Sequence, residues 1–94
     1  MSYAKRVDEN QARIVAALRQ MGASVQDLSA VGRGVPDLLV GYHGNNYLLE
    51  IKDGDKPPSK RKLTQHQMKW RDEWRGTAHT IICLDDAIEV ITHD

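Results

Sequence analysis

The N-terminal part of the chain carries apolar residues at helical spacing. Ile14 and Leu18 lie with other apolar residues on one stripe when the chain turns by about 100° per residue, and Gln11 lies inside that stripe. Gly22 follows the stripe, and glycine commonly ends a helix. The pattern therefore predicts a first helix over residues 4–21.

Short apolar or alternating runs follow, and such runs are typical of strands. They predict four strands, over residues 24–31, 37–42, 47–52 and 80–84. Residues 43–46 are His-Gly-Asn-Asn, and both Gly and Asn tolerate the positive φ of a hairpin turn. Pro36 opens the second strand, where its missing N–H does least harm. We therefore expect the second and third strands to form a hairpin.

Two further helices complete the pattern. Thr64 can cap a helix that runs to about Trp74 and ends before Gly76. Asp85 and Asp86 can cap a short last helix. The predicted order is αβββαβα, in a single domain over residues 1–94, because a second domain would leave too little chain for a core.

Composition narrows the class of protein. The 13 Lys and Arg residues balance 13 Asp and Glu residues, which excludes a histone-like basic protein but not a local basic patch. The single cysteine, Cys83, rules out an intrachain disulfide and is expected to be a small core residue of the last strand. No apolar run approaches the ~20 residues that span a bilayer, and no apolar signal region follows residues 1–6. The sequence predicts a protein of a reducing cytosol without a membrane partner.

The charge is unevenly distributed along the chain. Residues 52–76 carry eight basic and four acidic side chains, which gives +4, and residues 77–94 carry four acids without Lys or Arg, which gives −4. A basic segment beside the acids of the central strands suits a polyanionic ligand near a metal ion. A solvated helix face of mixed charge is the simpler interpretation, and charge alone leaves both open.

Two acids and a lysine are predicted to meet at the hairpin. Glu50 and Lys52 alternate on one strand, so they project from the same face about 7 Å apart. A hairpin that places Tyr42 near Tyr47 brings Asp37 near Lys52. Asp37 and Glu50 can then reach one ion between them.

This set of groups suits phosphodiester hydrolysis. Carboxylate oxygens are preferred ligands of Mg²⁺ and Mn²⁺, with the Ile51 backbone carbonyl as a further oxygen ligand. A bound metal lowers the pKa of a water, and a lysine beside it can orient that water and stabilise negative charge. The alternative is a surface ion pair of Lys52 with Glu50 or Asp37, which contributes about 0–1 kcal/mol.

Three linked motifs resemble known nucleases. Pro36-Asp37 followed by Glu50-Ile51-Lys52 resembles the signature of the PD-(D/E)XK nuclease superfamily. In the same order, three longer motifs resemble the virus-type replication-repair nuclease (VRR-NUC) family: Gly34-Val35-Pro36-Asp37-Leu38-Leu39, Leu49-Glu50-Ile51-Lys52 and Leu63-Thr64-Gln65-His66-Gln67-Met68-Lys69-Trp70. The last one is similar to the Leu-Ser/Thr-x-x-Gln-x-x-Trp helix of that family. The resemblance extends over residues 7–91.

The resemblance implies a restriction-endonuclease-like α/β fold, with an αβββαβ core, a small mixed sheet flanked by helices, and here a short C-terminal helix. It also implies Mg²⁺ or Mn²⁺ and DNA as the substrate. Asp37 and Glu50 take the metal-ligand roles, Lys52 orients the water, and Gln67 is the catalytic polar residue of the helix behind the site. Stand-alone members of this size look like those of phages and prophages, which implies the cytoplasm of a bacterial host. Such members are similar in behaviour to homodimeric Holliday-junction resolvases.

Relatives often place a glutamate of the first helix at the metal, and here that ligand stays open. Glu9 is one candidate, although its helical angle lies opposite the apolar stripe. Asp8, Asn10 and Gln11 lie in the same region, and a first-helix ligand can also be absent.

Basic and aromatic residues suggest how DNA is held. Loops that leave the carboxylate end of the sheet can clamp phosphates on both sides of the scissile bond. The basic residues on these loops are Arg33, Lys56, Lys60, Arg61 and Lys62. Trp70 and Trp74 are expected to be core or dimer-interface anchors rather than base-stacking platforms. The four histidines lack metal-ligand spacing and are expected at the surface or core edge.

The sequence thus predicts a metal-dependent DNA endonuclease, a homodimer that acts on branched or four-way-junction DNA. No base-reading element stands out, which favours recognition of DNA structure over recognition of sequence. Two alternatives stay open. One is a non-catalytic module of the same fold that binds branched DNA. The other is a monomeric nonspecific or flap nuclease.

Overall fold

The computed structural model describes residues 3–93, with side chains from Glu9 onward. Its elements follow the predicted order αβββαβα, with a short 3₁₀ turn in the loop before the second helix. They are α1 (Tyr3–Gln20), β1 (Ser24–Asp27), β2 (Leu38–Tyr42), β3 (Asn45–Ile51), the 3₁₀ turn (Pro58–Lys60), α2 (Gln65–Glu73), β4 (His79–Ile81) and α3 (Leu84–Thr92). No helix within residues 3–93 is long and apolar enough to cross a membrane.

The described strands form a mixed sheet in the order β1-β2-β3-β4. The pairs β1–β2 and β2–β3 are antiparallel, and β4 pairs with β3 in parallel after a crossover that contains α2. One face of the sheet is apolar and packs against residues of α1 and α3. The core cluster combines Leu38, Val40, Leu49, Ile51 and Ile81 of the sheet with Ile14, Leu18, Ala87 and Ile91 of the two helices. The mixed sheet flanked by helices confirms the predicted fold class.

The hairpin differs from its prediction by a two-residue shift in register. His43 and Gly44 form the turn with φ of 48° and 82°, so Tyr42 pairs with Asn45. Positive φ at both turn residues is the geometry that joins two twisted strands through a two-residue loop. The predicted register, with Tyr42 opposite Tyr47 and Asp37 opposite Lys52, is therefore wrong, and Asp37 lies opposite Glu50 instead.

The first strand is shorter than predicted, because a side chain ends it. Asp27 Oδ1 accepts hydrogen bonds from the Ser29 hydroxyl, at 2.5 Å, and from the Ser29 amide, at 2.8 Å. These bonds lower the pKa of Asp27, with the hydroxyl contributing most. They also fold the chain into a turn, in which the Ser29 amide bonds to a side chain and not to the neighbouring strand. Gln11 Nε2 donates to Asp27 Oδ2 at 3.2 Å, which connects α1 to this corner.

Cys83 and the two tryptophans, for which a core position was predicted or considered, lie outside the core. Cys83 follows the end of β4 and is exposed, at the position that precedes α3, so the prediction of a buried Cys83 is wrong. Helix α2 buries none of its residues. Trp70 and Trp74 stack on each other with ring centroids 4.8 Å apart, and Trp74 remains 48% exposed. They are not core anchors, whereas a place for them at a dimer interface stays a prediction.

Candidate active site

Asp37 lies at the bend just before β2 and continues the pairing of the hairpin through its side chain. Its Oδ2 accepts a hydrogen bond from the Ile51 amide at 2.8 Å. Its backbone carbonyl accepts one from the Leu28 amide at 2.7 Å. Because the N–H and C=O of a strand residue point to the same side, the Ile51 carbonyl also faces Asp37. Carboxylate oxygens of Asp37 and the backbone carbonyl oxygen of Ile51 thus lie together at the end of β3.

Glu50 is the buried acid of the site. Leu49 pairs with Leu38, so Glu50 lies opposite Asp37 and projects from the face of the sheet away from the apolar core. Its side chain is only 3% exposed. Burial, a hydrogen bond with the Asp37 carboxyl group and the Asp37 charge together raise the pKa of Glu50 to about 8.

The Asp37–Glu50 pair fits a divalent cation. Two neighbouring carboxyl groups repel each other when both are ionised, so without a cation burial and the Asp37 charge favour the neutral form of Glu50 and raise its pKa. Their hard oxygens, with the Ile51 carbonyl on the same side, are the donors that Mg²⁺ and Mn²⁺ prefer. Among the described residues, no group of three His, Cys, Asp or Glu side chains could hold a metal. The oxygens that could hold a cation here would be those of the two carboxyl groups and the Ile51 carbonyl.

Lys52 and Gln67 complete the group that the sequence predicted. Lys52 lies on the same face of β3 as Glu50, and its Nζ donates to Gln67 Oε1 at 2.7 Å. The same oxygen accepts from the Thr64 amide at 2.9 Å, and Thr64 Oγ1 accepts from the Gln67 amide at 3.2 Å. This reciprocal capping box begins α2 and fixes the amide of Gln67 over the end of β3. The structure brings Asp37, Glu50, Lys52 and Gln67 together.

Arg71 is a neighbour of the site that the sequence analysis missed. It lies one helical turn after Gln67 on α2, and its Nη1 donates to Thr80 Oγ1 at 3.1 Å. Thr80 pairs with Glu50 in the parallel ladder. The positive charges of Lys52 and Arg71 oppose the upward shift of the Glu50 pKa, in that order. The spacing of four residues from Gln67 is the signal that predicts a shared helix face.

The loop before β2 is pressed against α2. A Cβ on Gly34, whose φ is 84°, would lie 2.2 Å from the His66 carbonyl oxygen, so only glycine fits there. Arg33 has a φ of 57° and lines a surface cavity with Lys69 and Trp70. The loop therefore holds Arg33 beside α2.

The basic residues after β3 do not act as one cluster. Arg61 is half-buried, and its Nε donates to the Lys56 carbonyl oxygen at 2.6 Å, which closes the loop on itself. Lys56 is half-buried as well. Lys60 and Lys62 are exposed. Of the four residues, Lys60 and Lys62 are the ones presented to solvent for a polyanion.

The first helix does not bring an acid of its described part to the Asp37–Glu50 pair. Glu9 lines a separate cavity with Asn10, Asp53 and Asp55. Asp53 is buried there, and its Oδ2 lacks a hydrogen-bond partner among the described residues. The side chain of Asp8 lies outside the described residues. The structure thus separates Glu9 from the two carboxylates, and Gln11 contacts Asp27 instead.

Of the comparisons with known proteins, one finds a similar fold. No family model and no curated protein matches the chain. Among solved structures, the fold is similar to that of a VRR-NUC domain, with a TM-score of 0.66 and 25% sequence identity. The similarity covers 93% of this chain and 95% of the other. This similarity confirms the resemblance to the VRR-NUC family of nuclease domains that the three motifs predicted.

Proposed function

We propose that the chain is a DNA endonuclease that depends on Mg²⁺ or Mn²⁺. The observation that carries the proposal is the buried Glu50 carboxyl group, which lies opposite Asp37 in the ladder and beside the Lys52–Gln67 pair. A buried acid is costly to ionise unless a cation is near. Two acids that lie side by side despite the cost of ionising them are typical of a catalytic site that binds a metal ion.

Each residue then has a defined task. Asp37 and Glu50 would hold the cation, with the Ile51 carbonyl as a further ligand, and the cation would supply charge neutralisation at the phosphate and a water of lowered pKa. Lys52 has donors left beyond the one given to Gln67, and it orients the attacking water. The water oxygen forms a bond to phosphorus, and the bond from phosphorus to the leaving sugar oxygen breaks. The water loses a proton, and the sugar oxygen gains one.

The DNA backbone is held by the exposed basic residues on both sides of the site. Arg33 lies on the loop before β2, and Lys60 and Lys62 follow β3. Lys56 and Arg61 hold the second loop in shape through the bond between them. Phosphate contacts of this kind position a duplex without reading its sequence. They support a preference for DNA structure over base sequence.

The preferred substrate is branched DNA, with a four-way junction as the best case, and the enzyme acts as a homodimer. Two cuts placed symmetrically on a junction need two sites related by a two-fold axis. The exposed Met68 and Trp74 of α2 offer apolar surface for such an interface. Phage or prophage origin and action in a bacterial host stay predictions from the family resemblance.

The test is cleavage of a labelled four-way junction, with linear duplex and flap substrates as controls, in Mg²⁺, Mn²⁺ or EDTA. Glu50→Gln lowers the rate by about a thousandfold, because it removes a charged ligand of the cation. Glu89→Gln is the matched control, since Glu89 is exposed on α3. It cuts like the wild type.

The results separate the candidate functions. Paired symmetric cuts that need metal and Glu50 support the dimeric junction nuclease. Binding without cutting in either metal supports a non-catalytic module for branched DNA. Equal cutting of duplex and flap by a species that light scattering shows to be a monomer supports the nonspecific nuclease.

A further inference from the structure

Arg71 has a position that the packing of α2 does not explain. The helix buries none of its residues, yet Arg71 is half-buried and turned toward the sheet. Its Nη1 reaches Thr80 Oγ1 at 3.1 Å. Thr80 is the partner of Glu50 in the β3–β4 ladder. One hydrogen bond thus fixes the guanidinium beside the acid of the site.

Most of the donors of Arg71 stay available. A guanidinium has five N–H donors in a planar fork. In the described part of the chain, its hydrogen bond is the one to the Thr80 hydroxyl. Because Thr80 is the ladder partner of Glu50, the guanidinium bonded to it lies next to Glu50. One N–H group of this guanidinium is bonded to Thr80, and its other N–H donors lie beside two carboxyl groups. Such donors can bind an oxyanion, such as a phosphate, that is coordinated to a cation at the carboxyl groups.

We propose that Arg71 binds a non-bridging oxygen of the phosphate that is cleaved, as a catalytic residue of this chain. The proposal rests on the proposed nuclease function and adds a residue to it. Lys52 and Arg71 then approach the phosphate from neighbouring positions, Lys52 from the sheet and Arg71 from α2. Negative charge on the phosphate oxygens grows in the transition state, so fixed donors there are worth more than in the ground state.

The first arm of the experiment measures single-turnover cleavage of the junction. Arg71→Ala lowers the rate about 100- to 1000-fold, the range found when one fixed donor to a developing oxyanion is removed. Arg71→Lys recovers part of the loss, because it keeps the charge without the planar fork. Thr80→Val loses less than Arg71→Ala, since it removes the tether but keeps the guanidinium itself.

Arg19 supplies the matched control. It is an arginine of α1 that also donates one hydrogen bond, from Nη2 to the Val25 carbonyl oxygen at 3.0 Å. Its helix packs on the opposite face of the sheet, through Ile14 and Leu18. Arg19→Ala leaves cleavage unchanged.

The second arm measures DNA binding without cleavage. Fluorescence anisotropy compares Glu50→Gln with Glu50→Gln/Arg71→Ala over a series of salt concentrations. Loss of one phosphate contact lowers the slope of log Kd against log salt by about 0.9 for duplex DNA. A residue that only tethers α2 to β4 does not change this slope by that amount.

The arms distinguish failure of this inference from failure of the proposed function. If the wild type cuts and Arg71→Ala cuts equally well, the inference is overturned and the nuclease stands. If the wild type does not cut, the nuclease proposal fails, and the salt slope still decides whether Arg71 touches phosphate. An unchanged slope overturns the inference even when cleavage falls. Equal losses in Thr80→Val and Arg71→Ala, with equally lowered melting temperatures, identify a structural tether and also overturn it.

Discussion

The two faces of the sheet are made from alternate residues of the same strand, yet they are covered in different ways. Leu49 and Ile51 of β3 face α1 and α3 and belong to the apolar core. Glu50 and Lys52 face α2, which contributes no buried residue. That helix is attached by polar contacts, such as the one from Lys52 to Gln67. Apolar packing covers one face, whereas polar contacts around the candidate site cover the other.

The difference teaches where stability is gained and where it is lost. The apolar face removes large side chains from water, which is the main stabilising term of a small domain. The site face buries an acid, which costs free energy whenever that acid is ionised without a cation. The fold therefore carries an unfavourable term on one face that the other face offsets. Three changes test this division, from the largest expected effect to the smallest.

The largest effect is the pH dependence of the metal-free protein. The pKa of Glu50 is about 8 in the fold against a reference value of 4.5. Below pH 4.5 Glu50 keeps its proton in both the folded and the unfolded chain, so the contribution of the protonated acid to stability is fully present there. As the pH rises, the unfolded chain ionises first and stability falls, until the folded chain ionises near pH 8. We expect a loss of at most about 4 kcal/mol between pH 5 and pH 8.

Glu50→Gln isolates this effect, because glutamine does not ionise. Urea unfolding in EDTA at pH 5, 7 and 9 measures both proteins. The variant is expected to gain stability relative to the wild type as the pH rises, and saturating Mg²⁺ is expected to reduce the difference. A constant difference between the two proteins across this range would contradict the assignment of the pKa to Glu50.

The next effect comes from the apolar face of the same strand. Leu49 is fully buried, and Leu49→Ala removes its contacts and leaves a cavity. We expect a loss of about 3 kcal/mol, which lowers the melting temperature by roughly 15 °C in a domain of this size. Leu48→Ala is the matched control, because Leu48 is the preceding residue, faces the other side and is only half-buried.

Leu48→Ala should cost about 1 kcal/mol or less. Chemical denaturation with equal slopes for all variants makes the comparison valid. Equal losses for the two leucines would mean that the two faces share the core, and the contrast between them would fail. Retained metal-dependent cleavage by Leu49→Ala well below its melting temperature would place its effect on stability alone.

The sequence predicted those parts of the fold and the site that depend on local chemistry. Helical periodicity placed α1, and the Thr64–Gln67 capping box placed the start of α2. Alternation along β3 was enough to put Glu50 and Lys52 on one face. The prediction that Asp37 lies near Glu50 holds although the predicted register is wrong, because a shift of two residues keeps every side chain on the same face of the sheet.

The remaining features depend on tertiary structure. The positive φ of His43 makes the turn only two residues long, and the pattern of side chains does not predict a positive φ at a histidine. Cys83 is exposed because β4 ends at Ile81, two residues before it. Arg71 reaches the site only because β4 adds in parallel beside β3 and sets Thr80 opposite Glu50. Parallel pairing joins distant segments, so periodicity along the chain does not reveal it.

The smallest effect tests how α2 is attached. Gln67→Ala removes the side chain that accepts from both Lys52 and the Thr64 amide, so it opens the capping box and frees the lysine. We expect a loss of about 1 kcal/mol in stability and a loss of cleavage of about tenfold. Gln67→Glu separates the two roles, because glutamate keeps the capping box while it adds a negative charge beside Lys52. Normal unfolding with impaired cleavage in Gln67→Glu would show that the polar face serves chemistry, whereas full cleavage in Gln67→Ala would reduce Gln67 to a helix cap.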